Sequence, residues 1–384
     1  MIIKRDYYLQ QLISSKSNNL IKIVTGIRRS GKSFLLFNLF HNHLIETGIS
    51  EDHIIEIALD DRLNKNLRDP DVILQHIHER IVDDKLYYII LDEVQMIDEF
   101  TDVLNSLLHI RNADVYVTGS NSKFLSKDVV TEFRGRGDEI HLFPLSFAEL
   151  YNSIGGDKFE LWKSYYTYGG LPGILELDSE KKKAAYLRSL HETVYLKDII
   201  ERNNLKNSEE FMELMRVMAS CIGSPCNPSK LENTFKSVKN ETLDRKTISK
   251  YLSYMEDAFL IEKSMRYDIK GRKYIGTLSK YYFQDIGLRN ALLNFRQVEE
   301  NHIMENVIYN ELRLRGFCVD VGMVEARTAK ERKQLEVDFV ANMADRRYYI
   351  QSAFAMPDDD KREQESASLK RIDDSFKKII IMRD

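Results

Sequence analysis

One octapeptide near the amino end limits what this chain can fold into more than any other feature. Residues 26–33 read GIRRSGKS, a glycine and four further residues followed by Gly-Lys-Ser. The apolar run LIKIVTG ends at the first of these glycines, and the helical pattern FLLFNLF begins directly after the serine. A strand, a glycine-rich turn and a helix in this order are typical of a loop that surrounds phosphate groups. The sequence therefore predicts a phosphate-binding loop at 26–33.

The residue types of this loop suit a nucleoside triphosphate. Glycine permits turns in which successive backbone N–H groups point into one concavity, and a helix N-terminus adds a positive dipole. We expect Lys32 to reach the β and γ phosphate oxygens and the Ser33 hydroxyl to bind Mg²⁺. The predicted nucleotide-binding residues are Gly26, Ile27, Arg28, Arg29, Ser30, Gly31, Lys32, Ser33 and Phe34.

Two acidic residues follow another apolar run. Residues 87–95 read YYIILDEVQ, so Asp92 and Glu93 come directly after a predicted strand. We expect Asp92 to hold the Mg²⁺ shell together with the serine of the loop. Glu93 is expected to take a proton from the attacking water, which is the general-base role in hydrolysis. These residues together predict a Mg²⁺-dependent nucleoside triphosphatase.

A third strand-like run, DVYVTGSNS at 114–122, ends in small polar residues. We expect Ser120 or Asn121 to position the attacking water or to contact the γ phosphate. Polar residues are also common after strands that carry no site, so this position is the weaker prediction.

A pair of arginines comes before the last strand of this region, in FRGRGDEIHLFPLSF at 133–147. Arg134 or Arg136 is expected to stabilise the transition state, a role that such arginines often fill in a neighbouring subunit. A basic pair on the surface is the alternative. The catalytic interpretation predicts a homo-oligomer, although the sequence gives no ring size.

The pattern of apolar residues divides the chain into four parts. Short apolar runs alternate with helical patterns over 1–145, which predicts an α/β fold with a parallel sheet covered by helices. Helical patterns alone occupy 146–205. Three helical segments and then shorter strand-like pieces make up 206–283, and mixed α/β patterns return over 284–384.

Charge is unevenly distributed along the chain. There are 56 Lys and Arg against 60 Asp and Glu, a net charge of −4, so any nucleic-acid surface must be a local patch. The segment DRKTISKYLSYMEDAFLIE predicts a helix with one apolar face and one basic face, and a hairpin at 265–283 follows it. The predicted DNA contacts are Arg245, Lys246, Ser249, Lys250, Lys270, Arg272 and Lys273. Protein docking or subunit packing by the same helix is the open alternative.

Targeting signals are missing from the sequence. The start, MIIKRDYYLQ, has no secretory apolar core, and no apolar run approaches the roughly 20 residues that cross a bilayer. Three cysteines are too few for a disulfide framework. We therefore expect a cytoplasmic protein with no membrane partner.

The order of these parts resembles bacterial and archaeal AAA-superfamily P-loop ATPases that carry a C-terminal domain of unknown function. The matching stretches are GIRRSGKS, IILDEVQ, VTGSNS, FPLSFAEL, YGGLP, KYYFQDIGLRNAL, MENVIYNELRLRG and EVDFV. The resemblance implies a sheet of strand order 5-1-4-3-2 with IIEIAL at one edge. It also implies that 146–205 is a helical lid, 206–283 a winged helix and 284–384 a restriction-endonuclease-like domain. ATP as the nucleotide follows from the resemblance and from the lack of an NKxD-type guanine motif.

The endonuclease-like part departs from the pattern of active enzymes. Nucleases of this fold use acidic residues and a lysine to hold Mg²⁺ and activate water. The helix acid would be Glu305 or Glu311 and the strand acid Asp338. The next strand has Gln351 and Ala353 where an acid and a lysine belong. We therefore expect a site that does not cut phosphodiesters and keeps a structural or binding role.

Two functions fit these residues best, and an active nuclease in the C-terminal part is a third alternative. The first is a Mg²⁺-dependent ATPase whose hydrolysis drives a change in the winged-helix and C-terminal parts. The second is a nucleotide-gated switch that hydrolyses ATP slowly or not at all and binds DNA or a protein partner.

Overall fold

The computed structural model describes residues 3–119, 136–239, 243–327 and 332–383. The chain divides into two compact units. The first unit contains residues 1–156 and 257–259, and the second contains residues 157–256 and 260–384.

The first unit is built on five strands and five helices among its described residues. The strands are β1 (Ile21–Thr25), β2 (Ile54–Ala58), β3 (Tyr87–Asp92), β4 (Ala113–Thr118) and β5 (Gly137–His141). The helices are α1 (Asp6–Ser14), α2 (Lys32–Phe34, continued by a π-helical segment Leu35–Phe40 and by His41–Glu46), α3 (Pro70–Arg80), α4 (Phe100–Leu107) and α5 (Phe147–Ile154).

All strand pairs in this sheet are parallel, and the strand order is β2-β3-β4-β1-β5. Read from the other edge this is 5-1-4-3-2, so the predicted fold class and strand order are confirmed, with β2 at an edge. Every residue of β1 and of β3 is buried. Strands that are apolar throughout are typical of parallel sheets covered on both faces, which is why the sequence pattern was informative here.

The second unit begins with helices. These are α6 (Lys158–Tyr168), α7 (Glu180–Leu190, continued by a π-helical segment His191–Leu196 and by Lys197–Asn203), α8 (Ser208–Ser220), α9 (Pro228–Thr234) and α10 (Arg245–Asp257). The later helices are α11 (Ile286–Leu292), α12 (Glu300–Leu314) and α13 (Asp359–Ser366). Its strands are β6 (Ile261–Asp268), β7 (Lys273–Phe283), β8 (Cys318–Arg327), β9 (Arg332–Met343), β10 (Arg346–Ala353) and β11 (Lys377–Met382).

The six strands of the second unit form one mixed sheet, ordered β11-β10-β9-β8-β6-β7. The predicted hairpin is present as the antiparallel pair β6–β7, but β6 also pairs in parallel with β8. The sheet therefore runs through residue 283, where the sequence placed a domain boundary. That pairing joins strands separated by β7 and two helices, so no local pattern reveals it. The first unit ends at residue 156 and therefore includes α5, whereas the sequence predicted a boundary at 145.

In the second unit, one buried carboxylate joins YGGLP and QDIGL, two of the stretches that carry the family resemblance. Asp285 accepts hydrogen bonds from the backbone N–H of Leu288 at 2.9 Å and of Gly170 at 2.8 Å. A Cβ on Gly169 would lie 2.4 Å from Asp285 Oδ1, and a Cβ on Gly287 would lie 2.0 Å from the Tyr168 carbonyl oxygen. The glycines of YGGLP and QDIGL are thus required because the two backbones approach closely around this side chain.

Among the described residues, the helices are all too short or too polar to traverse a lipid bilayer.

Candidate functional site

The loop after β1 has the backbone geometry that the motif requires. Gly26 and Gly31 have φ angles of +138° and +98°, and Arg29 has a φ of +65°. A Cβ at Gly26 would lie 2.2 Å from the carbonyl oxygen of Leu142, so the loop packs directly against the chain that follows β5. Gly31 then opens α2, as the sequence predicts.

Lys32 lies inside this loop. Its side chain is 4% exposed, and Nζ donates to the carbonyl oxygens of Gly26 at 3.0 Å and Ile27 at 3.2 Å. Burial lowers the pKa of Lys32 to about 8, against the opposing influence of Glu93 and Asp92. The ammonium is therefore surrounded by the loop that we expect to bind phosphate.

The serine of the loop meets the first acid of the pair. Ser33 Oγ donates to Asp92 Oδ2 at 2.7 Å, and Thr118 Oγ1 donates to the other carboxylate oxygen. Asp92 is buried, and burial raises its pKa. A serine hydroxyl beside a carboxylate is a set of hard oxygen donors, the type that Mg²⁺ prefers, so these two residues fit that ion.

Glu93 lies where β3 ends, with a φ of +54°. Its backbone N–H donates to Thr118 Oγ1 at 2.9 Å, and its carboxylate accepts a hydrogen bond from the side-chain amide of Gln95. The roles of Thr118 and Gln95 were not predicted from the sequence. The signal for Thr118 was its place at the end of a strand, because the carboxyl ends of parallel strands meet at one edge of the sheet.

A buried arginine from the amino end also supports the loop. Arg5 is 4% exposed, and its guanidinium donates to the carbonyl oxygens of Ser30 at 3.3 Å and Phe143 at 2.7 Å. It also pairs with Glu149 at 2.8 Å, and Glu149 forms the capping box that begins α5. Arg5 thus ties the loop to the start of α5. No sequence pattern marked this residue, because all three partners are distant along the chain.

Arg136 is the remaining predicted catalytic residue that the structure describes. Ser120, Asn121 and Arg134 lie outside the described residues. The side chain of Arg136 is exposed, and its carbonyl accepts from Ile21 N at 2.9 Å where β1 and β5 begin. This is the amino edge of the sheet, whereas the loop follows the carboxyl end of β1.

The predicted DNA-contact residues are all exposed. Arg245, Lys246, Ser249 and Lys250 lie on α10, whose opposite face is buried through residues that include Ile248 and Leu252. Lys270, Arg272 and Lys273 lie at the turn of the β6–β7 hairpin. Arg245 Nε lies 3.7 Å from Glu232 Oε2, so the two side chains form an ion pair.

The predicted nuclease-like residues are partly brought together. Glu305 on α12 and Asp338 on β9 lie around Lys280 of β7, with Glu336 beside them. Glu311 instead pairs with Arg315 at 2.6 Å, away from this group. Lys280 was not predicted from the sequence. Glu336 was predictable, because it stands two residues before Asp338 on the same face of its strand.

Gln351 is placed beside this cluster on β10. The N–H of the next residue, Ser352, donates to Asp338 Oδ2 at 2.8 Å. The side-chain oxygen of Gln351 is buried and accepts no hydrogen bond from the part of the chain that the structure describes. Burial, with Glu305 nearby, raises the pKa of Asp338 to about 7.

Comparison with known proteins agrees with this geometry. Residues 18–151 match a family model described as an AAA domain, and residues 159–299 match a domain of unknown function, DUF8612. An uncharacterized protein of Haemophilus influenzae is 34% identical over 387 residues, covering 99% of this chain and 93% of its own. The chain belongs to the AAA superfamily of P-loop ATPases.

Two other matches have lower sequence identity to this AAA protein. An uncharacterized protein of Methanocaldococcus jannaschii is 29% identical over 391 residues, covering 97% of this chain and 82% of its own. The structure of Cdc6p from Pyrobaculum aerophilum matches with 13% identity and a TM-score of 0.33, covering 80% of this chain and 96% of that one. At that TM-score the likeness carries no argument about function.

Proposed function

We propose that this AAA protein binds ATP with Mg²⁺ at the loop 26–33, hydrolyses it, and uses the nucleotide state to control binding by its second unit. The observation that carries the proposal is the contact between Ser33 Oγ and Asp92 Oδ2, next to a lysine enclosed by the loop. The serine that follows β1 and the acid that ends β3, two strands away in the sheet, are the two residue types that hold the magnesium ion of a triphosphate site.

Each residue of the site has a separate role in this proposal. Ser33 and Asp92 would hold Mg²⁺, which neutralises charge on the β and γ phosphate oxygens when bound. Thr118 orients Asp92 by its hydrogen bond and positions the backbone of Glu93. Lys32 would exchange its bonds to the loop carbonyls for bonds to phosphate oxygens. Glu93 would accept the proton of the attacking water.

Replacing Lys32 with alanine is expected to weaken ATP binding by about 10–100-fold. A hydrogen bond to a charged group contributes roughly 1.5–3 kcal/mol, and alanine removes the ammonium that provides it. Titration of a fluorescent ATP analogue would measure the change. Lys65→Ala is the matched control, because Lys65 is exposed on the 3₁₀ helix Arg62–Arg68. Equal affinity in both variants would show that the loop is not the nucleotide site.

The nucleotide-gated switch is the second candidate function. It is favoured by the hydrogen bond from Gln95 to the carboxylate of Glu93, because that bond occupies a lone pair that would otherwise be available to the attacking water. Such a protein would retain ATP and release phosphate slowly. ATP held through gel filtration with no phosphate release over hours would support the switch, whereas multiple turnovers would support the ATPase.

We propose DNA as the partner of the exposed basic face of α10. Replacing Arg245 and Lys246 together with alanine should weaken DNA binding and lower the slope of log affinity against log salt by about 2, because each phosphate contact contributes roughly 0.9. Binding of a labelled duplex at several salt concentrations would measure this slope.

The matched control for this double change lies on another helix of the second unit. Lys181 and Lys182 are both exposed on α7, so their replacement by alanine removes the same charge elsewhere. If both double variants lose affinity equally, the effect is one of net charge. If neither double variant loses affinity for DNA, the result would favour α10 as a protein-docking helix.

The position of Arg136 fits an arginine that acts on the nucleotide of a neighbouring subunit. Its side chain is exposed at the amino edge of the sheet, so it reaches a phosphate only in a second copy of the chain. We therefore propose that turnover requires a homo-oligomer.

A further inference from the structure

Three carboxylates of the second unit surround Lys280. Lys280 Nζ lies 2.7 Å from Glu305 Oε1, 2.7 Å from Glu336 Oε1 and 3.7 Å from Asp338 Oδ1. The Lys280 side chain is only 2% exposed, so its charge cannot reach water. The amine that the sequence lacks at position 353 is therefore supplied by β7.

A divalent metal does not fit this arrangement. Mg²⁺ needs near-octahedral oxygen ligands at about 2.0–2.1 Å. Glu305 Oε1 already accepts bonds from both Lys280 Nζ and the Tyr282 hydroxyl, each at 2.7 Å, which use the two lone pairs of that oxygen. Asp338 Oδ2 accepts a hydrogen bond from Ser352 N at 2.8 Å, which uses one of its two lone pairs. No three acidic, histidine or cysteine side chains in the described ranges are arranged to hold a metal.

The lysine is charged in this position. Two carboxylate oxygens lie 2.7 Å from Lys280 Nζ and a third lies 3.7 Å away, so the surroundings favour the ammonium over the neutral amine. A protonated ammonium donates three hydrogen bonds and carries a positive charge, so it can compensate buried carboxylates as a metal does.

We infer that the Lys280 ammonium takes the place of a divalent metal among Glu305, Glu336 and Asp338, so that this nuclease-like cluster is a metal-free ion cluster. It holds strand β7, helix α12 and strand β9 together by charge. The cluster binds no Mg²⁺ or Mn²⁺, and it cuts no phosphodiester. This inference does not depend on ATP binding by the first unit.

Binding of Mn²⁺ to the full chain without nucleotide tests the inference. Every protein carries Ser33→Ala, so that the loop does not contribute, and free Mn²⁺ is counted by electron paramagnetic resonance. We expect the same isotherm with and without Asp338→Asn. A Mn²⁺ equivalent that is lost on Asp338→Asn would overturn the inference, as would Mn²⁺-dependent nicking of plasmid DNA lost in the same variant.

Removing the lysine should open a metal site. Lys280→Met is expected to gain one Mn²⁺ equivalent, and adding Asp338→Asn should remove it again. Lys280→Arg keeps the charge and should gain none. Lys263→Met is the matched control, because Lys263 is exposed on β6. A folded Lys280→Met protein that binds no Mn²⁺ would overturn the inference, and the Asp338→Asn comparison decides it if that variant does not fold.

Discussion

Replacing Glu93 with glutamine is expected to lower ATP turnover by about 10²–10⁴-fold while ATP remains bound, because a general base contributes roughly that factor. Glutamine keeps the size of the side chain but cannot accept a proton from water. Its backbone N–H still bonds Thr118, so the loop and the acid beside it keep their positions. Phosphate release measures turnover, and titration of a fluorescent ATP analogue measures binding.

The control for this change is Glu99→Gln. Glu99 is exposed at the start of α4 and, like Glu93, has a positive φ, here +50°. The same chemical change at Glu99 should leave turnover within about twofold of the wild-type rate, as expected for a surface substitution. Equal turnover in the wild type and the Glu93→Gln protein would exclude Glu93 as the base. If neither protein hydrolyses ATP although both bind it tightly, the result would favour the nucleotide-gated switch.

Local patterns predicted the loop and the parallel α/β sheet of the first unit, whereas the strand order came from the family resemblance. The loop at 26–33 is one contiguous stretch, and its strand–turn–helix context is visible within about twenty residues. Strands β1 and β3 are apolar throughout because both of their faces are covered. The meeting of Ser33 and Asp92 followed because parallel strands place their carboxyl ends at one edge of the sheet.

Contacts between distant parts of the chain could not be predicted. Arg5 supports the loop through Ser30, Phe143 and Glu149, none of which is near it in sequence. Lys280 likewise pairs with Glu305 of α12 and Asp338 of β9, which are both distant from it in sequence. A single sequence shows periodicity and motif spacing, but a buried charge finds its partner through the tertiary fold. The parallel pairing of β6 with β8, on the two sides of residue 283, arises in the same way.

Replacing Asp285 with asparagine is expected to destabilise the second unit by about 2–5 kcal/mol. Both carboxylate oxygens accept backbone bonds, Oδ1 from Leu288 N and Oδ2 from Gly170 N, and the N–H groups of Gly287 and Leu171 also point at this side chain. Asparagine has one oxygen, and its amide nitrogen would face a donor. Each buried donor left without a partner costs roughly 1–3 kcal/mol.

Urea unfolding followed by tryptophan fluorescence measures this loss of stability. The only tryptophan in the sequence, Trp162, lies on α6, directly before the glycines that Asp285 holds, so it reports on this region. At pH 7.5 the carboxyl is ionised even though burial raises the pKa of Asp285 to about 6. We expect the midpoint to fall by about 1–2 M, given a typical slope of roughly 1–3 kcal/mol per molar urea.

The matched control is another aspartate that begins a helix. Asp358 caps α13 and accepts one bond, from Lys361 N to Oδ1 at 2.7 Å, in an exposed position. Asparagine caps helices as well as aspartate, so Asp358→Asn should change stability by less than about 0.5 kcal/mol. Because the two changes are chemically identical, a difference between them measures the requirement for two accepting oxygens at 285. Equal midpoints in the two variants would mean that the YGGLP and QDIGL stretches are not held together by this carboxylate.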